Sequence, residues 1–176
     1  MRTFLANYFL KREAAKVARQ AKQLGLDKAN SFLILYNASQ LEEIKALKEI
    51  SFNLAQQQKK TVALCLINEK DLPEFRTEAR NFNFITPKEL NLLSLPKKTT
   101  VNELQSTTYD VLINLSAQTN TTLSYLALKA HANFKIAQYL PEESFVYDFM
   151  IDCKKDTSIV NFTAQVLHYL SLIKND

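Results

Sequence analysis

Seven polar residues close apolar runs of this chain: Asn37 and Ser39, Asn68, then Asn114, Ser116 and Gln118, and finally Asp152. Amides, hydroxyls and a carboxylate in such places recognise a polar ligand by hydrogen bonding. A serine among them becomes a nucleophile only when a base activates it. Bases are scarce, because the chain has two histidines, His131 and His168. Neither has a second His, Cys or acid at metal-ligand spacing. Zinc takes three or four convergent ligands, so no metal site is expected. The single glycine, Gly25, removes further chemistries. A phosphate loop needs two glycines, a dinucleotide fingerprint three, and a nucleophile elbow two around its serine. No catalytic residue is assigned and no cofactor is expected. Asn, Ser and Asp also end strands and cap helices through bonds to nearby backbone. That structural role stands beside the ligand role for all seven residues.

A second group lies at the N-terminus. Phe4, Leu5, Tyr8 and Phe9 form a bulky apolar head, followed by Lys11, Arg12, Lys16 and Arg19. Residues 1–30 carry a net charge of +5 and the remainder −1, so the basic character belongs to this segment. Such a helix suits contact with an anionic membrane surface, a protein partner or a second copy of the chain. Packing on its own domain is the alternative. The nearly neutral body has no interleaving of aromatic and basic residues, so no nucleic-acid partner is expected.

The elements that position these groups follow from pattern. Residues 2–23 contain good helix formers and no Gly or Pro, with Gly25 placed as a C-cap or hinge. Residues 31–37 and 61–68 are apolar without alternation, as strands buried on both faces are. A helix over about 39–58 joins them, with Ser39-Gln-Leu-Glu42 as its capping box. A second box, Thr86-Pro-Lys-Glu89, starts a short helix ending near Leu93. Residues 109–115 form another strong strand, and 120–131 a helix that places His131 at its C-terminus. Strands over 134–137 and 145–152 follow, then a closing apolar helix over 157–173 that holds His168 partly buried. Cys65 falls inside a strand and Cys153 at partial exposure. Glu142 with Glu143, and Lys97 with Lys98, read as solvated turn charges. Asp110 and Asp148 are expected to bond nearby backbone.

No apolar run approaches the ~20 residues that span a bilayer. The Met-Arg start and the apolar stretch behind it imitate a secretion signal, but Asn7 interrupts it and no uncharged cleavage region follows. Two cysteines suit a reducing interior, and a cytoplasmic location is expected.

The segments 109–115 (YDVLINL), 126–130, 133–136 (NFKI), 147–152 (YDFMID) and 86–91 (TPKELN) resemble a family of short bacterial α/β proteins of unknown function. That resemblance implies an architecture and no activity. The stretch 109–137 is more remotely similar to the N-terminal half of heptosyltransferase-like glycosyltransferases. Those enzymes bind a nucleotide sugar with a second domain that this length does not provide, so the likeness implies shared fold only.

Alternating strands and helices give an α/β fold: an open, mostly parallel, Rossmann-like sheet of about five strands with helices on both faces. A basic N-terminal helix (residues 1–25) precedes a single α/β domain (26–176). The expected role is non-enzymatic: a binding domain using Phe4, Leu5, Tyr8, Phe9, Lys11, Arg12, Lys16 and Arg19 for self-association, partner or membrane-surface contact. The alternative is a small ligand-binding or transferase-like enzyme at the strand ends, where Asn37, Ser39, Asn68, Asn114, Ser116, Gln118 and Asp152 would form one rim.

Overall fold

The computed structural model describes residues 2–17, 20–79, 82–153 and 155–174. Six strands form one sheet: β1 (Ser31–Asn37), β2 (Lys60–Leu66), β3 (Asn83–Ile85), β4 (Thr108–Asn114), β5 (His131–Gln138) and β6 (Phe149–Ile151). Their order is β3-β2-β1-β4-β5-β6 and every pairing is parallel. The sheet thus has six strands against the about five expected, and no antiparallel member among the described residues. Between them run α1 (Arg2–Ala14), α2 (Leu41–Gln56), α3 (Leu72–Glu78), α4 (Lys98–Gln105), α5 (Thr121–Lys129) and α6 (Ile159–Leu172).

Strand side chains alternate between two cores. Phe32, Ile34 and Tyr36 join Ile44, Leu47, Leu54, Phe162 and Val166 on the side of α2 and α6. Leu33 and Leu35 join Leu112, Leu123, Leu126 and Leu104 on the side of α4 and α5. Both faces of β1 are buried, which is why its sequence lacks polar alternation.

α5 ends on an unusual partner. Lys135, in the middle of β5, is 1% exposed. Its ammonium donates to the carbonyls of Ala127 and Leu128 in the last turn of α5. A cation there meets the negative end of the helix dipole and satisfies carbonyls that have no helical donor.

The N-terminal helix is shorter than the composition suggests. It ends at Ala14, not near residue 23. Two tight turns close it, Lys16 N–H to the Glu13 carbonyl and Val17 N–H to that of Ala14. Further on, the Lys22 N–H bonds the Asn133 carbonyl at 2.9 Å. β6 is three residues long and pairs only with residues 136–138 of β5. That bond falls on the part of β5 that β6 leaves open, so the chain at Lys22 meets the sheet edge instead of continuing a helix. Gly25 therefore does not cap the helix and has no positive φ. It is needed for close approach, because a Cβ there would overlap the Ile173 carbonyl just past α6.

Other boundaries move for similar reasons. His131 begins β5 and is exposed, so it is not at a helix end. The Thr86 box is closed by Glu89 Oε2 accepting the Thr86 N–H at 2.8 Å. It starts a single 3-10 turn over Pro87–Glu89 rather than a helix reaching Leu93. Cys153 is buried, His168 is exposed, and Cys65 sits in the core. Asp110 and Asp148 do accept backbone N–H groups, but from segments distant in sequence, Asn30 and Ser31 for the first and Lys135 for the second, rather than from nearby backbone.

Candidate functional site

In a parallel sheet of this order the connections change direction between β1 and β4. Ligands of such sheets bind outside the carboxyl ends of the strands at that point. A notch of about 260 Å³ lies there, lined by Asn37, Ser39 and Glu43 on one side and residues 116–120 on the other. Four expected residues meet in it: Asn37, Ser39, Ser116 and Gln118. Each follows β1 or β4, which are neighbours. Asn68 and Asp152 follow β2 and β6, and neither lines the notch. Asn114 lies beneath it, buried, with its amide donating to the Tyr147 hydroxyl at 2.6 Å and its Oδ1 accepting the Ser116 N–H at 3.1 Å.

Two helix N-termini face this region, and acids of the chain itself occupy both. At α2, Glu43 Oε2 accepts the N–H of Ser39 at 2.7 Å, the Ser39 hydroxyl at 3.1 Å and the N–H of Gln40 at 3.0 Å. Its Oε1 accepts the Tyr36 hydroxyl at 2.6 Å. Glu43, not Glu42, closes the capping box, because the N-cap is Gln40. Burial works to raise the Glu43 pKa, but the bonds from Tyr36, Ser39 and Gln40 outweigh it and leave the carboxyl below its ordinary value. A stable carboxylate therefore sits where a bound anion would sit.

At α5, Asn120 Oδ1 accepts the Leu123 N–H at 3.1 Å, an ordinary N-cap. Glu143 approaches from the turn after β5. Its Oε1 accepts the Ser124 hydroxyl at 2.6 Å, and its carboxyl lies against the Asn120 N–H. Glu143 is 2% exposed, contrary to its reading as a solvated turn charge, and Oε2 is buried without a partner. Burial raises its pKa beyond what the Ser124 bond and the nearby Asn120 N–H take back, and the charge of Glu142 adds to the rise. Glu142 itself stays exposed and accepts the Thr119 hydroxyl at 2.6 Å. Burial and the nearby Glu143 push the Tyr147 hydroxyl up as well. Composition pointed to neither Glu43 nor Glu143. The capping position of Glu43 was one residue from legible, and the burial of Glu143 had no local signal.

The N-terminal helix packs on α5. Leu10 is 1% exposed, and Phe9 sets its ring 6.1 Å from that of Tyr125. Glu13 Oε2 lies 2.6 Å from Lys129 Nζ and also pairs with Lys16. Bonds to Lys129 and Lys16 hold the Glu13 carboxyl down at about 2. Residue 9 meets 125 and 13 meets 129, so α1 and α5 run in the same direction. Tyr8, Lys11, Arg12 and Lys16 are exposed, with Lys11 reaching over the Phe145 ring. Arg19 and the side chains of Phe4 and Leu5 lie outside the described residues.

Residues 2–173 match a family of unknown function, DUF6913. The chain belongs to this family. A comparison with curated proteins finds no match. Among solved structures, the chain is similar to the E. coli heptosyltransferase WaaC with ADP. Identity is 14% and the TM-score 0.51, over 82% of this chain and 48% of that one. It is also similar to the same enzyme with ADP-2-deoxy-2-fluoro heptose, at 14% identity and a TM-score of 0.48, over 83% of this chain and 50% of that one. The chain thus spans about half the length of the structures it matches. At this identity the likeness shows the Rossmann-like fold alone.

A larger groove of about 490 Å³ lies away from the rim, where the eight residues of α4 leave β2 and β3 bare on one face. Its floor is apolar (Leu33, Val62, Leu64), and its edge mixes Arg76 with Glu89 and Glu103. None of the expected site residues lines it. Among the described residues, no group of three or more His, Cys, Asp or Glu is placed to hold a metal ion, and no helix is long and apolar enough to cross a membrane.

Proposed function

We propose that this chain is a non-enzymatic binding domain that docks on an acidic surface through the outward face of α1. The observation that carries the reading is Glu43. In a sheet of this order the turn after β1 is where backbone amides take a phosphate. Here Ser39 and Gln40 give those amides to a carboxylate of the chain, which also repels a second anion. Exposed positive charge lies elsewhere, on Lys11 and Arg12, which α1 holds outward while Leu10 anchors it.

The test is retention on a heparin column, read as the salt needed for elution. Lys11→Glu with Arg12→Glu should lower that salt well below the value for Lys45→Glu with Lys70→Glu, which has the same net charge. Equal loss in both variants would mean that only net charge matters, and would overturn the assignment to α1.

A second reading is favoured by the convergence of Asn37, Ser39, Ser116 and Gln118 in one notch. Its amides and hydroxyls suit a small neutral polar ligand. Thermal stabilisation by free sugars, weakened by Gln118→Ala, would support it. No stabilisation by any sugar would remove it.

A further inference from the structure

The loop between β3 and α4 holds two leucines out in water. Leu92 is 90% exposed and Leu93 52%, while the next leucine, Leu95, turns inward. The loop is braced. Asn91 Oδ1 accepts the N–H groups of Leu93 and Leu95 at 2.9 and 3.1 Å. The Asn91 N–H bonds the Leu95 carbonyl at 2.9 Å, and Leu90 bridges to Pro96. Ser94 adopts a φ of 59°, which a non-glycine residue takes only under constraint. The Thr122 hydroxyl then ties the Ser94 carbonyl to the first turn of α5 at 2.7 Å.

Lys97 and Lys98 follow directly and are exposed. α1 is fastened to the same helix through Phe9 and Tyr125, and its exposed Tyr8 lies one residue away. An apolar tip with cations at its base matches one kind of surface: negative charge over a hydrocarbon layer. A protein partner with an acidic surface would use the lysines but leave two leucines to be covered.

We propose that the surface on which this chain docks is an anionic lipid bilayer, with Leu92 and Leu93 entering the headgroup boundary and Lys97 and Lys98 meeting lipid phosphates. This rests on the docking role of α1 proposed above and names its partner. The leucines supply apolar burial, and the lysines add a term that salt screens.

The experiment is flotation of the full chain with vesicles of phosphatidylcholine alone and with phosphatidylglycerol added. Binding is expected only to the mixed vesicles. Leu92→Asn with Leu93→Asn should weaken it by about tenfold or more, judged from the area two leucines would bury, with an unchanged melting temperature and heparin retention. The chain has no tryptophan, so Leu92→Trp reports on its own position, and its emission should move to the blue with mixed vesicles. Equal vesicle binding by the leucine variant, or binding with no shift in Leu92→Trp, overturns the insertion. If the wild-type chain ignores mixed vesicles but heparin retention still depends on Lys11 and Arg12, the lipid partner is wrong and the docking role of α1 stands. If heparin retention does not depend on Lys11 and Arg12, the reading of α1 fails independently.

Discussion

The Ile173 carbonyl occupies the space that a Cβ at position 25 would need, and that is what makes Gly25 a glycine. The approach joins the segment after α1 to the end of α6, with the Leu26 N–H bonding the Leu170 carbonyl at 2.9 Å beside it. Gly25→Ala must push two backbone segments apart. A cost of about 1–3 kcal/mol is expected, as for overpacking elsewhere. It should appear in urea as a lower midpoint with an unchanged slope. An unchanged midpoint would mean that the segment shifts freely.

Glu13 should make the packing of α1 on α5 dependent on pH. Its pKa falls from the ordinary 4.5 to about 2 when bonded to Lys129 and Lys16. A carboxyl depressed by folding supports the fold above its unfolded pKa and loses that support as the pH falls through the folded one. The contribution is therefore complete above pH 4.5 and fades toward pH 2. Melting temperatures of wild type and Glu13→Gln should differ most near neutrality and converge over that window. A gap that stays constant on acidification would remove Lys129 and Lys16 as the cause.

Glu143 has the opposite sign. Its pKa is raised in the fold, chiefly by burial. The folded state then holds the proton longer than the unfolded chain, so stability declines as the pH rises from the ordinary carboxyl value through the raised one. Glu143→Gln keeps an acceptor for Ser124 and has no charge to bury. The variant should flatten this decline in pH-dependent melting curves. An unaltered slope would mean that Glu143 does not titrate in this range.

Local signals carried much of the fold. The apolar runs of β1, β2 and β4 announce burial on both faces, and Asn120 and the Thr86 box stop and start elements where the residues allow. Tertiary partners decided the rest. β5 starts at His131, before the expected 134, because it pairs with β4 from Thr108 onward, and the mid-strand charge of Lys135 is accommodated at the end of α5. α1 stops at Ala14, and the chain that follows bonds the open edge of β5 at Asn133, a partner that local sequence does not announce. At the rim, knowing that polar residues end the strands did not give the strand order. Asn37, Ser39, Ser116 and Gln118 come together only because β1 and β4 are neighbours. Glu143 reads as one of two turn acids, and only the packing of its turn against α5 buries it.

The most direct test of the central claim is titration calorimetry of the chain with ADP and with a sugar nucleotide. With Glu43 holding the amides of Ser39 and Gln40, no saturable binding is expected at millimolar ligand. Saturable binding that Asn37→Ala or Ser39→Ala weakens would contradict the account and return the site between β1 and β4 to nucleotide chemistry.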